Sequence, residues 1–226
     1  MNEIVDKLVA DLDERTRVAL EGRAHETAIH LYGSRKSRYL KGIAGKAKKF
    51  WVPVRWFDCR PPLTFFEGPI IIDRESNEDA FEEVFIPYGE HDLDCIQHEG
   101  MSCTAEACMY ILRALRAMEG KHVCIIGRGH AVKEMAEHLL ARDATVMVCH
   151  SKTRDLLSCT YWADVVVNGA PGTQPLSDVT RSRNSVVLDI SGSLSAWDNS
   201  NIMTYIGPRD IGRLNTSLVL NRFATR

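Results

Sequence analysis

Residues 121–140 read KHVCIIGRGHAVKEMAEHLL, and the parsing of this stretch decides the fold. An apolar run, His122–Ile126, meets the glycine turn Gly127-Arg128-Gly129, and a helical pattern follows over residues 131–142. Strand, glycine turn and helix in that order open a dinucleotide-binding α/β unit. Gly127 permits the tight turn. Gly129 lets backbone approach a pyrophosphate at the N-terminus of the next helix. The third glycine of the G-x-G-x-x-G pattern is absent, and Val132-Lys133 takes its neighbourhood.

Working outward, the same alternation continues. Thr145–Cys149, Asp164–Val167, Ser185–Ile190 and Met203–Ile206 read as strands, a short helix is expected over 152–160, and a last helix over 212–223. Upstream, residues 104–118 read as a helix stopped at Gly120. The first half is less regular. A helix is expected over 3–22, where Ile4, Leu8, Val9, Leu12, Val18 and Leu20 recur at roughly helical spacing. Thr27–Tyr32 reads as a strand, 35–49 as a very basic helix, and Phe50–Phe57 as a strand that Pro53 assigns to a sheet edge. A short strand follows within Phe65–Asp73, then an acidic helical segment over 76–85 and a turn at Ile86-Pro87-Tyr88-Gly89.

The predicted class is therefore α/β in two lobes: a Rossmann-type doubly wound parallel sheet plus a smaller α/β substrate lobe. Residues 1–98 form the expected substrate lobe, with the C-terminal helix of 212–226 packing back on it. Residues 99–211 form the expected nucleotide lobe.

The 226 residues suffice for two such cores, and 45% apolar with 26% charged residues is a globular profile. A net charge of −2 provides no global field toward nucleic acid or anionic membrane. No apolar run has the length of a membrane span, and the amphipathic N-terminus lacks the apolar core of a signal peptide, so a cytoplasmic protein is expected. Seven scattered cysteines without a C-x-x-C argue against a disulfide framework or a zinc site, and Cys124 and Cys149 lie inside apolar strands.

The second strand of the unit speaks to the cofactor. NAD enzymes place Asp or Glu at its end to bind the ribose 2′-hydroxyl. This strand ends Cys149-His150-Ser151-Lys152-Thr153, without an acid. Arg128, Ser151 and Lys152 would offer a 2′-phosphate donors and positive charge, which favours NADP.

Here the residues resemble a known family, the bifunctional methylenetetrahydrofolate dehydrogenase/methenyltetrahydrofolate cyclohydrolases. Its G-K-x-V-x-V-(I/V)-G-R-S loop is similar to Gly120-Lys121 through Gly127-Arg128. Its A-T-V-x-x-C-H-S-x-T looks like Ala144-Thr145-Val146 with Cys149-His150-Ser151-Lys152-Thr153, and its A-D-I-V-I like Ala163–Val167. Val187-Leu188-Asp189-Ile190 and Pro208-Arg209-Asp210-Ile211-Gly212 extend the likeness through most of the second half. In the first half the family's S-x-x-Y-x-x-x-K falls on Ser34–Lys41. Lys41 retains the lysine, Ser37 stands at the tyrosine, and Tyr39 lies two residues away on another part of the helix surface. K-D-V-D-G looks like His91-Asp92-Leu93-Asp94-Cys95, Q-L-P like Glu67-Gly68-Pro69, and P-C-T-P like Ser102-Cys103-Thr104-Ala105. The chain is shorter than the family norm, with a helix missing between Pro62 and Leu63.

The resemblance implies NADP-dependent oxidation of 5,10-methylenetetrahydrofolate to the methenyl form, with cyclohydrolase activity put in doubt by Ser37. It implies Lys41, Ser37 and Tyr39 at the catalytic position, Asp94 and Glu67 at the folate, and Gly127, Arg128, Gly129, His150, Ser151, Lys152 and Thr153 at the cofactor. It also implies a homodimer through the nucleotide lobe. Two other readings stand beside it. One is a divergent, non-catalytic member that binds nucleotide or a partner. The other is nucleic-acid binding by residues 34–60, where nine Lys/Arg alternate with Phe50, Trp51 and Trp56. Against the last, residues 73–94 hold nine Asp/Glu. A solvated basic helix facing an acidic one, or a site for an anionic polyglutamate tail, is the preferred reading.

Overall fold

The computed structural model describes residues 2–22, 27–57, 68–73, 86, 88–132, 134–172, 185–194 and 202–226. The acidic segment expected at 76–85, and Glu67, lie outside these residues. The chain divides into two compact units, Met1–Leu8 with Thr104–Ile211, and Val9–Cys103 with Gly212–Arg226.

The larger unit carries a five-stranded, all-parallel sheet in the order β5-β4-β6-β7-β8. Its strands are β4 (His122–Ile126), β5 (Thr145–Cys149), β6 (Val165–Asn168), β7 (Ser185–Asp189) and β8 (Ile202–Ile206). β6 and β7, VVVN and SVVLD, are buried along their whole length. Such unbroken apolar runs suit a sheet covered on both faces. β5 is an edge strand with only Cys149 buried. Cys124, Ile126, Cys149, Ala163, Val166, Val187 and Leu194 make one core cluster.

Three helices of this unit differ from expectation. The helix expected over 131–142 is broken into a 3-10 turn, His130–Val132, and a short α4, Met135–Leu140. Glu134 between them adopts a left-handed φ of 67°, a conformation that cannot continue a helix. The helix expected to stop at Gly120 is α3, Cys103–Ala114. It ends earlier because Arg116, at φ 53°, takes the left-handed position, with Arg116 N–H donating to Arg113 and Ala117 N–H to Leu112. The helix expected at 152–160 is α5, Leu156–Tyr161, capped by Asp155, whose carboxylate accepts from Ser158 N–H at 2.9 Å.

The smaller unit holds a three-stranded parallel sheet in the order β2-β1-β3, built from β1 (Ile29–Tyr32), β2 (Val54–Phe57) and β3 (Ile70–Ile72). β2, which follows Pro53, is at the edge as expected. Tyr32, Ile70, Ile72, Ile86 and Ile96 pack with Phe57 into its core. Helix α2, Arg38–Lys49, buries Leu40, Ile43 and Ala47. Helix α1 spans Glu3–Leu20 and α6 spans Pro208–Ala224. Within this unit α1 and α6 are tied by Ser217 donating to Asp13 at 3.0 Å and Asn221 to Thr16 at 3.4 Å.

Candidate active site

In the larger unit β4 is flanked by β5 and β6, so the chain leaves the β4 neighbourhood in opposite directions. Ligands bind at the carboxyl ends of strands at such a switch point. Gly127, the first residue after β4, has φ 113°, and its N–H donates to Cys149 O at 2.8 Å. A Cβ on Gly127 would lie 3.2 Å from the carbonyl carbon of Gly169 and 3.3 Å from Ala170 N. The ends of β4 and β6 therefore approach through bare backbone.

Gly169 also replaces the missing third glycine. A Cβ there would stand 2.6 Å from Cγ1 of Val132. The fingerprint's third glycine gives close packing of helix on strand. Here the bulk is on the turn, at Val132, and the space is on the facing strand end, at Gly169. Arg128 and Gly129 are exposed beside it, and a Cβ on Gly129 would meet nothing within 4 Å. The pyrophosphate cradle expected from a following helix N-terminus is instead a 3-10 turn, closed by Val132 N–H donating to Gly129 O at 3.1 Å.

At the end of β5 the expected cofactor residues form one turn. His150 N–H donates to Thr153 Oγ1 at 2.9 Å, Thr153 N–H returns to His150 O at 2.8 Å, and Lys152 N–H donates to His150 Nδ1 at 3.1 Å. His150 and Thr153 shape the turn, and Ser151 and Lys152 project into solvent.

A polar network missed in the sequence lies at the ends of β6 and β7. Asn168 Nδ2 donates to Asp189 Oδ1 at 3.1 Å and to the hydroxyls of Ser191 and Ser193, each at 2.8 Å. Asp189 also accepts from Gly192 N–H at 3.0 Å, Leu194 N–H at 2.8 Å and Tyr205 Oη at 3.0 Å. Burial and the Asp189 carboxylate raise the Tyr205 phenol pKa. Asn168 and Asp189 are fully buried, so this network fixes the 190–194 loop. The available signal was a polar residue closing each of two buried apolar runs.

In the smaller unit the sequence-predicted residues separate. Ser37 caps α2, its Oγ accepting from Leu40 N–H at 3.1 Å. Tyr39 Oη donates to Asp94 Oδ2 at 3.1 Å, and Asp94 Oδ1 accepts from Cys103 N–H at 2.7 Å. Asp94 is only 5% exposed. Burial, then the adjacent carboxylate, raises the Tyr39 phenol well above its ordinary pKa, so it stands as a donor. Arg222 holds the Asp94 loop by donating to Leu93 O at 2.9 Å and Met101 O at 2.7 Å. Asp92 braces the same loop, accepting from Gln97 N–H at 2.7 Å and His98 N–H at 3.1 Å.

Lys41 is exposed. Two residues of helix are about 200° of rotation, so Lys41 and Tyr39 leave α2 from opposite sides. The lysine on Tyr39's own stripe is Lys46, and it is paired with Asp13 at 2.6 Å. The position one turn after Tyr39 is Ile43, which is buried.

Residues 102–207 match the family described as "Tetrahydrofolate dehydrogenase/cyclohydrolase, NAD(P)-binding domain". The chain is 34% identical over 145 residues to a bifunctional protein FolD of Clostridium botulinum, covering 58% of this chain and 50% of that protein. It is 45% identical over 93 residues to the FolD of Thermosipho melanesiensis, covering 39% of this chain and 34% of the relative. The chain thus spans about half, or less, of these two relatives. Among solved structures, its fold is similar to the methylenetetrahydrofolate dehydrogenase-cyclohydrolase of Trypanosoma brucei, solved with NADP and an inhibitor. The TM-score is 0.75 at 21% identity, covering 99% of this chain and 94% of that one. The NAD-dependent 5,10-methylenetetrahydrofolate dehydrogenase of Saccharomyces cerevisiae gives a TM-score of 0.75 at 13% identity, covering 99% and 94%. The glycine turn and the strand ends around it thus lie within the part of the chain that matches the NAD(P)-binding domain of the tetrahydrofolate dehydrogenase/cyclohydrolase family.

Proposed function

We propose that the protein oxidises 5,10-methylenetetrahydrofolate to the methenyl form with NADP. The observation that carries this reading is the pairing of the bare-backbone Gly127 turn with the acid-free turn at His150–Thr153. The residues fit a dinucleotide with a 2′-phosphate. Gly127 and Gly129 leave room for pyrophosphate at the end of β4, and Arg128, Ser151 and Lys152 offer exposed donors without a competing carboxylate at 150–153. Bound there, NADP would supply the hydride acceptor.

The chain's own part is to hold the folate and order its surroundings. Asp94, oriented by Tyr39 and Cys103, would accept the N–H groups of the aminopyrimidine ring. A carboxylate has about four acceptor positions, and Cys103 N–H and Tyr39 Oη each take one. Glu67 remains a proposed second folate contact from the resemblance alone. Lys41 and Ser37, proposed at the catalytic position, keep the four-residue spacing of a tyrosine–lysine pair but not its phenol: Ser37 caps α2, and Tyr39 leaves the helix on the side opposite Lys41. The methenyl hydrolysis step is therefore proposed to be much weaker than the oxidation.

The proposed assembly is a homodimer, and the exposed apolar side chains of edge strand β5 support it: Met147 is 48% and Val148 42% exposed. Analytical ultracentrifugation of the wild type and Val148→Lys tests this, with a dimer expected to become a monomer. Among the described residues, no helix is long and apolar enough to cross a membrane. The proposed place of action is the cytoplasm.

Turnover tests the main reading. Purified protein, 5,10-methylenetetrahydrofolate and NADP should give NADPH and methenyl absorbance. Silence with both NADP and NAD across pH would overturn it.

A further inference from the structure

The solvent face of α2 takes no part in the oxidation proposed above. Over Ser34–Phe57 the chain carries eight Lys/Arg and no Asp or Glu. Lys46 is paired with Asp13. Arg38, Lys41, Lys48 and Lys49 are exposed and fall within an arc of about 100° at 100° per residue. Among the described residues no carboxylate pairs with these four. Of the acidic stretch, Asp92 and Asp94 bind their own loop and Tyr39.

Trp51 completes this face in an unusual way. It follows α2 at the left-handed closing position, φ 59°, with Trp51 N–H donating to Lys48 O at 3.3 Å and Val52 N–H to Ala47 O at 3.0 Å. Glycine is the ordinary residue in this motif. α3 and α4 close in the same manner with Arg116 and Asp143. Asp tolerates the left-handed region, but a bulky residue there is an outlier. Trp51 is also 88% exposed. A large apolar ring thus stands in water, in a backbone conformation that disfavours it, next to Lys48 and Lys49. In the same basic stretch, the Arg35 guanidinium lies 5.7 Å from the Trp56 ring centroid.

We propose that this face binds single-stranded nucleic acid, with Arg38, Lys41, Lys48 and Lys49 on phosphates and Trp51 as a stacking platform for a base. Every base has a π-face, and cations with stacking rings suffice for binding without sequence preference. A polyglutamate chain would satisfy the cations but has no ring for Trp51. With a net charge of −2 the attraction is local, so salt should weaken it steeply.

The test is fluorescence anisotropy of labelled 15-nucleotide oligo-U and oligo-dT with wild type, Trp51→Gly and Lys48→Gln/Lys49→Gln. Four phosphates neutralised on a single strand give a log–log salt slope of about −3, or about fifty-fold weaker binding from 50 to 200 mM salt. Trp51→Gly should bind about tenfold more weakly while its melting temperature holds or rises. The double glutamine variant should flatten the slope by about 1.4. The proposal is overturned if neither oligonucleotide binds at 50 mM salt, or if Trp51→Gly binds like wild type. It is also overturned if hexaglutamate displaces the oligonucleotide at equal concentration, which would make the face a polyglutamate site.

Discussion

The two parallel sheets place their sites by opposite means. In the larger unit the site is made by absence: Gly127 and Gly169 carry no Cβ, and the strand ends meet backbone to backbone. In the smaller unit it is made by reach: Tyr39 crosses 55 positions of sequence to find Asp94. A site built on missing atoms fails when any atom is added. A site built on a side-chain pair fails only when one of the two is lost.

The largest expected effect follows from adding an atom. Gly127→Ala forces an alanine to φ 113° and drives its Cβ against the backbone of Gly169 and Ala170. Strain of about 1–3 kcal/mol is expected from the backbone alone, and the thermal shift on adding NADP should disappear. Gly169→Ala should also be severe, but its clash is with a side chain. Adding Val132→Ala should recover part of the lost stability, and a double mutant no more stable than the single would show that Val132 is not what Gly169 makes room for.

Next comes Asp94→Asn. An amide cannot accept from both Cys103 N–H and Tyr39 Oη while keeping its own N–H groups satisfied, so about 1–3 kcal/mol of stability should be lost. NADP binding should survive, while kcat/KM for the folate falls at least a hundredfold. Loss of nucleotide binding with it would contradict the division of labour.

A smaller effect is expected at the cofactor turn. Lys152→Glu places an acid where the strand end has none, and the preference for NADP over NAD should fall about tenfold, the size of one charge-assisted contact. Titrating both dinucleotides by calorimetry reads this directly.

The smallest effect is on alkaline stability. Tyr39 has a folded pKa raised above its unfolded value near 10, so it keeps its proton in the native state when the unfolded chain has lost it. Its stabilisation is present below about pH 10 and is lost as pH rises beyond that. The Cys108 thiol, pushed up to about 12 by burial, acts with the same sign from about pH 9. Tyr39→Phe should flatten the portion of the stability–pH curve above pH 10, measured by urea unfolding at each pH.

The legibility of the sequence divides along the same line. The parallel sheet, its strand positions and its glycine turn were readable because they follow from local composition: apolar runs, glycine, and the residue after each strand. The Asn168–Asp189 network left only a faint trace, one polar residue closing each of two apolar runs. The break at Glu134 left none, since a non-glycine left-handed residue has no compositional signature. The Tyr39–Asp94 pair was also hidden. Ungapped spacing aligned Ser37 and Lys41, but helix rotation placed Tyr39 on the inner side and Lys41 outside. Tertiary approach of a distant loop then chose between them.

The choice of Tyr39 over Lys41 is read by kcat/KM for NADP-coupled oxidation of 5,10-methylenetetrahydrofolate by wild type, Tyr39→Phe and Lys41→Ala, measured side by side. The structure predicts a wild-type rate reduced at least tenfold by Tyr39→Phe and changed less than about threefold by Lys41→Ala, as expected when only one of them orders the carboxylate proposed to hold the folate. An inactive Lys41→Ala beside an unimpaired Tyr39→Phe would contradict it.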